Sequence, residues 1–130
     1  MKPSDNTSKI LIVDDEEMLL KALSDKFSTE GFTVISAKDG QDGLQSALRE
    51  HPDVILLDVI MPKMDGVTML KKLREDEWGK NVPVIILTNL SSIDKTYIPS
   101  DDKVYDYLVK TDWTLDELVE KVKEKLAATQ

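Results

Sequence analysis

Four short apolar runs limit what this chain can become: Ile10-Leu11-Ile12-Val13, Val54-Ile55-Leu56-Leu57, Val84-Ile85-Ile86-Leu87 and Tyr107-Leu108-Val109. Each has the length of a strand and is rich in β-branched residues and leucine. A longer stretch with apolar residues at helical spacing separates each from the next. An unbroken apolar run marks a strand covered on both faces, which is the situation of a parallel sheet flanked by helices. The reading is strands over Lys9–Val13, Phe32–Ala37, Val54–Leu57, Pro83–Leu87 and Val104–Val109. Phe32–Ala37 alternates and is less apolar, as an edge strand would be.

The intervening stretches read as helices. Leu19, Leu20, Leu23 and Phe27 recur on one side of the first. The second opens at Asp39-Gly40, carries Leu44, Ala47 and Leu48, and stops at His51-Pro52-Asp53, because the residue before a proline is pushed out of the helical region. Asp65 caps a third helix carrying Val67, Leu70 and Leu73. Between Ser91 and Lys103 only a short helix fits, since Pro99 forbids a long one. Thr114-Leu115-Asp116-Glu117 is a capping box that starts a last helix with Leu115, Leu118, Val119, Val122 and Leu126 on one face. Strict alternation with right-handed crossovers gives an α/β fold: a doubly wound five-stranded parallel sheet of order 2-1-3-4-5.

At 130 residues the chain is sized for one domain. Residues 1–8 are polar and read as a flexible tail, with the domain over 9–127 and no effector domain after it. No apolar stretch approaches the ~20 residues that cross a bilayer, and the tail lacks the apolar centre of a secretory signal. Cysteine is absent, which fits a cytoplasmic location. The net charge of −8 argues against a nucleic-acid surface. Lys121, Lys123 and Lys125 do not offset it, because Glu120 and Glu124 are interleaved with them as on a solvated helix face.

What remains is the chemistry at the strand ends. The first run ends on Asp14-Asp15, the third strand on Asp58, the fourth on Thr88 and the fifth on Lys110. Taken singly, each has a plain structural reading: Asp15 as a helix cap, Thr88 as a strand-end residue, Lys110 as a solvated side chain. The predicted strand order instead collects them on one sheet edge, where ligands of open α/β sheets sit. Carboxylates that close together repel unless something positive intervenes, and Mg²⁺ with its oxygen preference suits them.

The segments Ile-Leu-Ile-Val-Asp14-Asp15-Glu16, Leu-Leu-Asp58-Val-Ile-Met-Pro62-Lys-Met-Asp65-Gly66, Ile-Ile-Leu-Thr88 and Tyr107-Leu-Val-Lys110 resemble the receiver domain of two-component response regulators, from about Lys9 to Leu126. The resemblance implies a flavodoxin-like three-layer sandwich like that of single-domain chemotaxis regulators. It implies that Asp58 accepts a phosphoryl group from a phosphohistidine on a sensor histidine kinase or histidine phosphotransfer protein. Asp15, Asp58 and the backbone carbonyl of Ile60 would ligate Mg²⁺, with Asp14 acting mainly through water. Lys110 would hold the Asp58 carboxylate and later a phosphoryl oxygen. Thr88 would move to the new phosphoryl group and Tyr107 would turn inward, while Asn89, where the family usually has a small residue, would neighbour the site. The family is a switch, not a turnover enzyme. Its output here would be a downstream protein target or a homodimer, through the segment after Leu90, the fifth strand and the last helix, with no direct nucleic acid and no membrane. Apolar Ile60 and Leu90 imply a long-lived phosphoryl group.

Other classes fit less well. An aspartate-nucleophile phosphatase needs a second acid two residues after its nucleophile; Ile60 holds that place after Asp58, and Glu16, which follows Asp14 at that spacing, lacks the rest of the pattern. A phosphate-binding loop after the first strand needs glycines and bare N–H groups, whereas Asp14-Asp15-Glu16 repels anions. A degenerate receiver that binds partners without phosphorylation is the nearer alternative.

Overall fold

In the computed structural model, residues 8–58, 66–88, 104–109 and 113–128 are described. The strands are β1 (Lys9–Val13), β2 (Thr33–Ala37), β3 (Val54–Asp58), β4 (Val84–Thr88) and β5 (Val104–Val109). They form one parallel sheet in the order β2-β1-β3-β4-β5, as the alternation predicts. Helices α1 (Glu17–Thr29), α2 (Gly40–Glu50), α3 (Gly66–Arg74) and α4 (Leu115–Ala128) cover it. The weak helical segment expected between 91 and 103, and the cap expected at Asp65, lie outside the described residues.

Because strand side chains alternate between faces, each apolar run feeds two cores. Leu11, Val13, Ile55, Leu57 and Ile86 face α2 and α3, where Ala47, Met69, Leu70 and Leu73 meet them. Ile10, Ile12, Leu56, Ile85 and Leu87 face α1 and α4, against Leu20, Leu23, Phe27, Leu118 and Val122. This explains why the runs are unbroken: every position on β1 after Lys9, and every position on β3, is buried.

The apolar residues of helix α2 are unequally buried. Ala47 is fully buried, Leu44 is only half-buried, and Leu48 is 38% exposed. The buried face is built from Gly40, Gly43, Ser46 and Ala47. A Cβ on Gly43 would stand 2.9 Å from Val13 Cγ2 and 3.0 Å from Met69 Sδ. Small residues therefore let α2 lie close on β1 and α3, with Leu44 packed half-buried at the margin of that core and Leu48 turned outward. The ends of the helix follow the sequence reading: Asp39 Oδ1 accepts the Asp42 N–H at 2.8 Å, and His51 closes the helix in the left-handed region at φ 50°. The capping box of α4 is present in both directions, Glu117 N–H to Thr114 Oγ1 and Thr114 N–H to Glu117 Oε1. Strand β2 starts one residue later than expected, since Phe32 instead packs edge-on against Phe27 at 5.1 Å.

Charged groups tie α1 to α4. Lys26 bridges Glu30 and Asp116, and Lys123 reaches Glu30 at 3.1 Å. The Lys123 and Lys26 ammonium groups hold the Glu30 carboxyl below its ordinary range, and Asp116, then Glu30, raise Lys26. A depressed carboxyl contributes stability above its unfolded pKa and loses it as pH falls through the folded value. A raised ammonium contributes below its unfolded pKa and loses it as pH rises through the folded one. The cluster is therefore fully effective at neutral pH, and its Glu30 part fades on acidification. Urea midpoints measured from neutral to acidic pH should show a shallower acid decline for Glu30→Gln than for the parent protein. The effect is small because these groups meet solvent.

Candidate metal and phosphoryl site

The site begins with strand register. Val13 pairs with Leu57, so the residues that follow them, Asp14 and Asp58, leave adjacent strands side by side. Asp58 pairs onward with Leu87, and Thr88 with Val109, so β4 and β5 end at the same edge. Asp14 is held in place by one more ladder bond, from its N–H to the Ala37 carbonyl at 3.0 Å. Its Oδ1 accepts the Glu16 N–H at 2.9 Å, which turns the chain from β1 into α1.

That turn leaves the neighbouring acid outside the cap position of the helix. The cap position of α1 is Glu16, which makes no side-chain cap hydrogen bond. Asp15 thus does not serve as the cap that its position after a strand suggests; its side chain is exposed at the mouth of the edge. Asp14 and Asp58 lie beneath it, 0% and 2% exposed. One carboxylate oxygen from each of Asp14, Asp15 and Asp58 can be chosen so that all lie within 4.8 Å of one another.

Three carboxylates held this way repel. At an effective dielectric of about 20, two like unit charges about 4 Å apart cost about 4 kcal/mol. Two of the three are also withdrawn from water, so solvent screens them poorly. A divalent cation relieves that repulsion, and the donor chemistry selects which one. All-oxygen ligands with no nitrogen or sulfur among them suit a hard ion, and a shell of few carboxylates completed by water suits Mg²⁺. The exposed side of Asp15 leaves room for that water. These residues fit the ion that the sequence reading assigned to them.

Of the other residues singled out in the sequence, Thr88 and Tyr107 have backbones in β4 and β5, with Tyr107 paired to Ile86. Ile60, Asn89 and Lys110 lie outside the described residues. Sequence reasoning missed Ala37, whose carbonyl fixes the first aspartate. No residue type marks it, because the contact is made by backbone and only the β1–β2 register reveals it.

Comparison with known proteins points the same way. Residues 10–123 match the model of the response regulator receiver domain. The chain is 39% identical over 102 residues to a probable transcriptional regulator, ycf27, of Porphyridium aerugineum; the match takes in 78% of this chain and 41% of that protein. The chain thus spans less than half the length of that relative. Among solved structures, a CheY-like response regulator receiver domain protein from Methanospirillum hungatei JF-1 superposes with a TM-score of 0.84 at 27% identity, covering 95% of this chain and 96% of that one. The receiver domain of the sensor histidine kinase PA1611 from Pseudomonas aeruginosa PAO1, solved with a magnesium ion in its active-site cleft, superposes with a TM-score of 0.82 at 26% identity, over 94% and 99% of the two chains.

Proposed function

The chain belongs to the response regulator receiver domain family, and from that premise we propose that Asp58 is the phosphoacceptor of a two-component phosphorelay. The observation that carries this is the convergence of Asp14, Asp15 and Asp58 at one sheet edge. A Asp58 carboxylate oxygen attacks the phosphorus of a phosphohistidine. The P–N bond breaks, its electron pair returns to the imidazole, and an acyl phosphate remains on Asp58. Asp15, Asp58 and the Ile60 carbonyl would hold Mg²⁺, with Asp14 acting mainly through water, and the ion would neutralise charge on the crowded oxygens. Lys110 adds a second positive charge at the same edge. Catalysis of this kind is positioning and electrostatics, and it needs no further acid or base.

Phosphorylated Asp58 carries more negative charge than the free carboxylate, and Thr88, one residue beyond its register partner Leu87, offers a hydroxyl to receive it. Tyr107, two residues before Val109 on the neighbouring strand, follows inward, and the surface beyond β4 changes with it. The phosphoryl donor is a sensor histidine kinase or a histidine phosphotransfer protein, and the receiver of the signal is a protein target or a second copy of this chain. The domain acts as a switch and does not turn over an external substrate. We place it in the cytoplasm, with which the lack of cysteine is compatible; no helix among the described residues is long and apolar enough to cross a membrane. Apolar Ile60 and Leu90 support a slow loss of the phosphoryl group, because neither offers a polar group to guide an attacking water.

A degenerate, phosphorylation-independent receiver is the competing reading, and intact mass separates the two. With Mg²⁺ and phosphoramidate the protein gains the mass of one phosphoryl group, keeps it after the donor is removed, and gains none when the metal is chelated or in Asp58→Asn. No added mass, or equal addition to Asp58→Asn, overturns the proposal.

A further inference from the structure

At the opposite edge of the sheet, where β3 and β4 begin, a cavity of about 370 Å³ opens between the α2–β3 and α3–β4 connections. Its apolar walls are Pro52, Val82 and Pro83, Trp78 adds an indole, and Asp53 and Glu77 supply carboxylates. The volume is within the range of small-ligand sites, which run roughly 300–1,000 Å³.

The walls are held by specific contacts. Trp78 stacks on His51, ring centres 4.3 Å apart and planes 10° from parallel. Asp76 Oδ2 accepts the N–H groups of Trp78 and Gly79 at 2.9 and 3.0 Å. Arg74 Nη1 donates to the carbonyls of Gly79 and Val82 at 2.7 and 2.8 Å, fixing both ends of the loop. Asp53 is oriented by the Lys9 N–H on its Oδ2 at 2.7 Å. Lys80 lies 3.2 Å from Glu77 in a solvent-exposed pair that an incoming cation can displace.

We propose that this cavity is a docking site for an arginine side chain presented by a partner protein. An apolar wall suits the aliphatic stem. The Trp78 indole, one face of which is taken by His51, adds apolar surface to that wall, and carboxylates suit the N–H fork of the guanidinium. Charge complementarity extends beyond the site, since the whole chain carries −8. The site stands apart from the acid cluster, at the other end of β3, so it holds or fails independently of the phosphoacceptor reading.

The test is an NMR titration of the isotopically labelled protein with N-acetylarginine methylamide, reading the Trp78 indole N–H and the Asp53 and Val82 amides. N-acetylcitrulline methylamide, which has the same shape without the charge, is the control. Saturable shifts confined to these groups are expected, with the citrulline probe roughly tenfold weaker. Asp53→Asn with Glu77→Gln should weaken arginine binding by a similar factor; Asp53→Asn retains an oxygen for the Lys9 N–H, and unchanged spectra elsewhere verify folding. Trp78→Leu, followed at Asp53 and Val82, should also bind more weakly, while Asp58→Asn binds normally. Equal binding of the citrulline probe, undiminished binding in the double variant or in Trp78→Leu, or shifts that never saturate would overturn the proposal.

Discussion

Asp15→Asn is expected to lose Mg²⁺ affinity by on the order of a hundredfold while leaving the fold intact. The side chain is exposed and caps nothing, so its replacement removes a charge without removing packing. Loss of groups that merely orient a metal ligand already costs roughly 10- to 100-fold, and Asp15 is proposed as a ligand itself. Without metal, the variant should be at least as stable as the parent, because two carboxylates repel less than three. With metal the order reverses. A ligand at about a hundred times its Kd stabilises a protein by about 2.7 kcal/mol, so the parent melts higher as Mg²⁺ rises and the variant barely responds. Thermal melts across a Mg²⁺ series read both effects. A parent protein indifferent to Mg²⁺, or an Asp15→Asn curve that rises in parallel, would contradict the metal assignment.

Phe27→Ala should produce the largest loss of stability, about 3–5 kcal/mol. Phe27 is fully buried on α1, in the core shared with Leu20, Leu23 and Val122, and its ring meets Phe32 edge-on. Truncation leaves a void at the join of α1, α4 and the sheet that rigid neighbours fill only in part. Domains of this size have a total stability of roughly 5–15 kcal/mol, so the loss is a large share and will show as a strong drop in urea midpoint. Met18→Ala on the same helix is the internal control: Met18 is 88% exposed, and its change should stay within about 0.5 kcal/mol.

These contrasts show how far the sequence could be read. The strands were legible because burial on both faces leaves a signature that needs no partner to recognise: no polar residue interrupts Ile10–Val13 or Val54–Leu57. The inward face of α2 was not, because periodicity counts leucines and gives no weight to glycine. Gly43 controls that face through its closeness to Val13 and Met69, a contact between elements distant in the chain. The acid cluster was legible for a related reason. Parallel strands carry their ends to one edge, so the final residue of each run falls there whatever lies between. The different burial of Asp14 and Asp15 was harder to read from the residues alone, since adjacent positions look equivalent until the Ala37 carbonyl and the Glu16 N–H fix one of them beneath the other.

The central claim is that the phosphoryl group resides on Asp58 as an acyl phosphate, and its most direct test locates that group chemically. Borohydride reduces a phosphoaspartate to homoserine and leaves free carboxylates untouched. After phosphorylation with Mg²⁺ and phosphoramidate, reduction and peptide mass mapping should find homoserine at position 58, with aspartate unchanged at 14 and 15. Homoserine at 14 or 15, or a phosphoryl group that survives reduction on a serine or threonine, would contradict the account.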